Sequence, residues 1–173
     1  MRKLLSFSKV CLMALILFSA TACTKNETEN GGEVSRDYVD LGLSSGTKWK
    51  AVDEKNAADS EYAFFTYDEA VAAFGNKMPS KEQWTELVDE CSWTWTGTGY
   101  KVVGPNGKSV SLPASGYRHC DGNVSNNVGS VGYYWSSTPN GSELAWYFNF
   151  DSYGVHLFSN SRCGGQSVRL VQD

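Results

Sequence analysis

The chain has 173 residues, 41% of them hydrophobic, and a formal net charge of −4. That acidic balance argues against a nucleic-acid partner, because tracking phosphates needs clustered Lys and Arg. Six Trp, nine Tyr and eight Phe beside 17 Gly and four Pro point to a turn-rich, largely β domain with a few helical pieces, of the α+β class.

Residues 1–22 have the three parts of an export leader: Arg2, Lys3 and Lys9 make a positive start, Val10 to Phe18 is apolar, and Ser19-Ala20-Thr21-Ala22 is a run of small residues. The apolar run is too short to serve as a spanning anchor. Small residues directly before Cys23 resemble the lipobox of bacterial lipoproteins, which implies cleavage before Cys23 and acylation of its sulfur, as with palmitate. The alternative is an ordinary secretory signal cut after Ala22, and either way the mature chain is exported. Two or more acyl chains hold a protein on a membrane stably. Glu27 and Glu29 follow closely, similar to the acidic surface-export signal of Bacteroidetes lipoproteins, which implies an outer-membrane, surface-exposed location. Residues 23–36 are polar and acidic around Gly31-Gly32 and read as a tether.

Residues 37–173, about 140 in number, suit a single domain. Tyr38 to Leu41 alternates like a short strand, and Thr47 to Val52 returns after the Ser45-Gly46 turn. Thr66 caps a first helix with Glu69 in capping-box register; Ala70, Val71 and Phe74 give its apolar face, and Gly75 stops it. Ser80 and Gln83 repeat the capping box on a second helix, where Trp84, Leu87 and Val88 share one buried face. The pattern then turns to β. Trp93–Trp95, Tyr100–Val103 and Ser109–Leu112 are strands, the last two joined at Asn106-Gly107. A loop-rich stretch, 114–132, precedes strands at Tyr133–Ser137, Leu144–Phe150, Val155–Phe158 and Ser167–Val171, with turns at Pro139–Gly141 and Asp151–Gly154.

Few constellations point to chemistry. His119, Cys120 and Asp121 are adjacent, but neighbours in an extended chain point apart, so they do not make a nucleophile and base. No paired cysteine spacing suits zinc, and Asp121-Gly122-Asn123 lacks the ligand series and closing Glu of a calcium loop. Gly107-Lys108-Ser109 sits in a hairpin, and Val102 stands where a phosphate loop needs its first glycine. Glu86, Asp89 and Glu90 form a solvated helix face sooner than a glycosidase pair. No cofactor, metal or catalytic residue is therefore expected, and an enzyme ranks last among the readings. Of Cys91, Cys120 and Cys163, one disulfide is allowed but no pairing can be chosen.

Tyr-Val-Asp-Leu-Gly-Leu-Ser-Ser-Gly-Thr-Lys-Trp at 38–49, Met-Pro-Ser-Lys-Glu-Gln-Trp-Thr-Glu-Leu-Val at 78–88, Leu-Pro-Ala-Ser-Gly-Tyr-Arg at 112–118, Tyr-Tyr-Trp-Ser-Ser-Thr-Pro at 133–139 and Ser-Val-Arg-Leu-Val at 167–171 resemble the Fibrobacter succinogenes major paralogous domain. That family is similar to C-type-lectin-like domains, which include retroelement-diversified variable proteins. The resemblance implies two helices flanking short antiparallel sheets, paired N- and C-terminal strands, and a long loop region carrying the ligand surface. The motifs of calcium-dependent sugar binding, and the cysteine pair of the formylglycine-generating branch, are absent.

Along 146–158, Trp146, Phe148 and Phe150 alternate with Tyr147, Asn149 and Asp151, and Val155 and Leu157 with His156 and Phe158. One set can face a core while the other carries rings and short polar groups outward, as adaptable binding surfaces do; burial of both faces between sheet and loops is the alternative. In the diversified relatives the ligand-contacting residues lie in this region, so the resemblance implies that role for Tyr147, Asn149, Tyr153, His156, Phe158, Asn160 and Arg162, and Cys163 lies in the same stretch. The expectation is a surface-anchored module that binds an extracellular protein or glycan. A structural or tip subunit of a surface assembly is the alternative.

Overall fold

The computed structural model describes residues 37–57, 63–125 and 127–173. The leader, Cys23 and the tether lie outside the described residues. Among the described residues, nine strands and two α-helices form three small antiparallel sheets, a β-rich α+β arrangement. No helix among the described residues is long and apolar enough to cross a membrane.

The first sheet has β1 (Tyr38–Asp40), β2 (Lys48–Lys50) and β9 (Val171–Gln172) in the order β1-β2-β9. The terminal strands therefore share a sheet without pairing directly, contrary to the expectation. The reason is Trp49, wholly buried on β2. It stands between Val39 and Val171 in register, and a strand carrying that indole gains most apolar burial in the middle.

α1 (Tyr67–Phe74) starts at a reciprocal capping box, in which the Glu69 N–H donates to Thr66 Oγ1 at 3.3 Å and the Thr66 N–H to Glu69 at 2.8 Å. Its buried face is Tyr67, Ala70 and, in part, Phe74; Val71, expected inside, is 39% exposed. Tyr67 decides the rotation, since its ring is buried while its hydroxyl donates to the Ser137 carbonyl at 2.8 Å.

α2 (Lys81–Glu90) has the matching Ser80–Gln83 box and buries Trp84 and Leu87 completely. Its acids are not simply solvated. Glu86 accepts from the Ser45 N–H at 2.8 Å and the Ser45 hydroxyl at 2.7 Å, and Glu90 from the Ser44 N–H at 2.9 Å. They clamp the β1–β2 turn to the helix.

β3 (Ser92–Trp95), β4 (Gly99–Val103) and β5 (Ser109–Pro113) make the second sheet, and β6 (Gly132–Asn140), β7 (Leu144–Asp151) and β8 (Gly154–Ser161) the third. The larger core lies among the first two sheets, α2 and the inner face of the third, around Trp49, Trp84, Leu112, Tyr134, Phe148 and Phe150. Gly132 is required there, because a Cβ would overlap the Phe150 ring. A second core under α1 joins Phe65, Tyr67, Met78, Trp135, Val168 and Leu170.

The predicted strand at Ser167–Val171 is regular only from Val171. Residues 166–171 are instead a plug buried on every side. Ser167 exchanges backbone bonds with Tyr133 and Trp135, while Val168 and Leu170 accept from Glu54 and Lys50. At its centre Arg169, 1% exposed, donates to Asp53 at 2.6 Å and to the carbonyls of Lys50 and Ser111 at 2.7 and 2.6 Å. The Tyr134 hydroxyl reaches the other Asp53 oxygen at 2.9 Å. Burial pushes the Asp53 carboxyl above its ordinary range, against the opposing pull of Arg169 and Tyr134. Such a pair holds only because every polar atom of it is satisfied.

Cys120 and Cys163 form a disulfide, joining the 114–131 loop to the chain beyond β8, and Cys91 is a half-buried free thiol.

Candidate functional site

The third sheet has two unlike faces because side chains alternate along each strand. Tyr134, Phe148, Phe150, Val155 and Leu157 point to the larger core. On the other face the register sets Tyr133 beside Asn149 and His156, and Trp135 beside Tyr147 and Phe158. Trp135 and Ala145 are covered as part of the second core. Beyond them the face opens to solvent.

On that open part lies a continuous run of rings. His119 and Tyr117 have centroids 4.5 Å apart, Tyr117 and Tyr133 4.7 Å, and Tyr133 and Tyr147 5.9 Å with nearly parallel planes. Tyr147 and Phe158 follow at 6.3 Å, then Phe158 and His156 at 5.6 Å. Phe158 is half exposed, His119 and His156 are exposed, and the three tyrosines are half-buried. Polar groups border the run. Asn127 donates to the Tyr133 hydroxyl at 3.4 Å, and the Tyr117 hydroxyl lies 3.4 Å from His119 Nδ1.

Burial, more than its neighbours, pushes the hydroxyls of Tyr133 and Tyr147 above the ordinary tyrosine value, and Asn127 partly opposes this at Tyr133. Both stay protonated near neutrality, so these phenols are uncharged and can donate hydrogen bonds.

The structure brings together Tyr147, His156 and Phe158 of the expected ligand residues. Asn149 joins them but donates to the Gly132 carbonyl at 3.1 Å. Tyr153 stands at the β7–β8 turn, 96% exposed. Asn160 lies farther along the same face, opposite Ala145, and accepts from the Ser161 N–H at 2.8 Å. Arg162 points elsewhere: it donates to the carbonyls of Leu144 and Gly141 at 3.3 and 3.0 Å and lies 4.8 Å over the Tyr67 ring. Its contacts are internal, holding the β6–β7 connection to α1. Tyr147 also lies partly inside, packed on the second core.

Sequence reasoning missed Tyr117, Tyr133, His119 and Asn127. The alternation of Tyr133, Tyr134 and Trp135 could have marked Tyr133, whereas the loop residues carry no local signal. Cys120 is bonded to Cys163 and so offers no thiolate to His119. Among the described residues no group of three His, Cys, Asp or Glu could hold a metal ion.

Rings presenting flat apolar faces, with hydroxyl, amide and imidazole groups at their edges, suit contact with the apolar side of a sugar or with apolar side chains flanked by polar groups. A family model described as a domain of unknown function, DUF8237, matches residues 95–171, a stretch that contains every ring of this run. No curated protein and no solved structure matches the chain.

Proposed function

We propose that the chain is a lipoprotein of the outer membrane, anchored through acyl groups on Cys23, that presents an extracellular ligand-binding module for a protein or glycan. The observation that carries this reading is the ring run from His119 through Tyr117, Tyr133, Tyr147 and Phe158 to His156 on the uncovered part of the third sheet. Buried rings there would need no explanation; rings half open to water and edged by Asn and His resemble the aromatic anchors of binding surfaces.

The module belongs, in this reading, to the Fibrobacter succinogenes major paralogous domain and to the C-type-lectin-like fold. Two helices beside short antiparallel sheets, and a long loop delivering Tyr117 and His119 to the ligand face, support it. Recognition by aromatic rings calls for no cofactor and no catalytic group. Whether the face is diversified is a property of the gene, and a neighbouring reverse transcriptase with a template repeat would favour it.

The full chain should select ligands on glycan and protein arrays. With a selected ligand, Phe158→Ala and His156→Ala should each weaken binding by about 1–2 kcal/mol with the melting temperature kept, as for clustered anchors. Binding should persist in EDTA. Loss in EDTA, or unaltered affinity in both variants, would move recognition away from this face. Cys23→Ser should release the protein from the membrane fraction.

The second reading, a subunit of a surface assembly, is favoured by one observation, the outer edge of β8, which pairs with no strand among the described residues.

A further inference from the structure

β8 closes one side of the third sheet, and its ladder with β7 runs from Asp151–Gly154 to Leu144–Ser161 without a shift. The groups left facing outward follow from the neighbouring strands. On β6, the Tyr133 carbonyl and the Trp135 N–H bond to Ser167, away from β7. Tyr133 and Trp135 therefore oppose Asn149 and Tyr147 in non-hydrogen-bonded pairs, so Asn149 and Tyr147 turn their backbone groups to His156 and Phe158. Alternation then points the N–H and C=O of Val155, Leu157 and Ser159 off the free edge. Among the described residues no backbone group meets them.

Proteins usually protect such an edge with charge, proline or a bulge. Residues 154–161 contain no Asp, Glu, Lys, Arg or Pro, in an otherwise acidic chain, and their ladder has no bulge. Tyr153 and Phe158, the two most exposed large apolar side chains among the described residues, lie at this same margin.

We propose that this edge binds a second copy of the chain, with β8 pairing antiparallel to itself about a twofold axis at Leu157. The strand is self-complementary in that register. Leu157 opposes Leu157 of the second copy, Val155 opposes Ser159, His156 opposes Phe158 and Gly154 opposes Asn160. The outward N–H and C=O groups of Val155, Leu157 and Ser159 all find partners at once, whereas a slip of two residues sets one of them against Ser161 or Tyr153, whose N–H groups already donate to Asn160 and Asp151. No like charges meet. Tyr153, 96% exposed, comes opposite Ser161.

Both faces of the joint sheet fit. On the ligand side the cross-strand His156–Phe158 contacts run the two ring surfaces into one, and such aromatic pairs stabilise sheets. On the core side a shallow groove of about 90 Å³, lined by Thr85, Val88, Phe148, Val155, His156 and Leu157, receives Leu157 of the second copy. The contact is isologous, so it closes as a dimer and does not propagate into a fibre. It is independent of which ligand the rings bind.

The test uses the full chain in detergent with Cys91→Ser as background. Val155→Cys, Leu157→Cys and Ser159→Cys are oxidised separately and resolved without reductant. Only Leu157→Cys meets its own copy at disulfide distance, so it alone should give a cross-linked dimer. Adding Phe158→Lys, which sets Lys against His156, should lower that yield about tenfold while each protomer keeps its melting temperature. The wild type should sediment as a dimer and Phe158→Lys as a monomer. A monomeric wild type, equal cross-linking at all three positions, or no dimer from a folded Leu157→Cys chain would overturn the proposal.

Discussion

The indole of Trp84 lies flat on the ring of Phe148, with centroids 4.5 Å apart and planes 4° from parallel. One ring comes from a helix and the other from the middle strand of the third sheet. Phe148 immediately follows Tyr147, so this stack holds the backbone from which the Tyr147 ring projects to the opposite face.

Trp84→Ala should therefore destabilise the domain by about 3–5 kcal/mol, through lost burial and the cavity left between Trp49, Tyr134 and Phe148. Urea unfolding followed by circular dichroism measures this. A variant of unchanged stability would show that the indole is not a packing residue.

Arg169→Met should cost about 3–5 kcal/mol, because it leaves the Asp53 carboxylate buried without its counter-charge. The carbonyls of Lys50 and Ser111 lose their donors in the same step. Asp53→Asn should cost less in the Arg169→Met background than in the wild type, since the pair is already broken. A double-mutant cycle gives the coupling, and strict additivity would contradict the contact.

Burial first, then the charges of Glu90 and Glu86, pushes the Cys91 thiol from an ordinary value near 9.0 up to about 11. The unfolded chain therefore loses this proton before the folded one does. Stability from this group is intact below pH 9 and is lost as pH rises towards about 11. At pH 8 the native thiol should alkylate about a hundredfold more slowly than in denaturant, following its thiolate fraction. Peptide mass spectrometry reads the site directly, and equal rates in the two states would contradict the assignment.

Reducing the Cys120–Cys163 disulfide should lower stability by about 2–4 kcal/mol, because the bond closes a long loop in the unfolded chain. Its partners are 43 residues apart in sequence. The change should also loosen Tyr117 and His119, which lie close before Cys120 in the chain. Denaturant midpoints with and without reductant measure the first effect, and amide exchange at 117–125 the second.

Much of the local architecture is legible in the sequence. Both capping boxes, at Thr66–Glu69 and Ser80–Gln83, depend on residues three apart, and such contacts form wherever the backbone turns into a helix. The hairpins and the two-faced strands β7 and β8 follow from period-two alternation and from turn residues beside them. For the same reason His156 and Phe158 could be put on the face opposite Leu157 from sequence alone. What only the tertiary structure decided are the pairings of residues far apart in the chain. Strand order is one, since β2 separates β1 from β9 around Trp49. The course of Ser167 to Leu170 is another, because a segment buried on every side has no alternation to betray it, and Arg169 is tolerable there only with Asp53 beside it. Val71 was misplaced because the buried Tyr67 sets the rotation of α1. Glu86 and Glu90 looked solvated until the β1–β2 turn came down on them. Tyr117 and His119 entered the site from a loop, and Cys120 found Cys163. Nothing in a local pattern records where a loop will land, because its position is set by the long-range contacts and the disulfide that hold it.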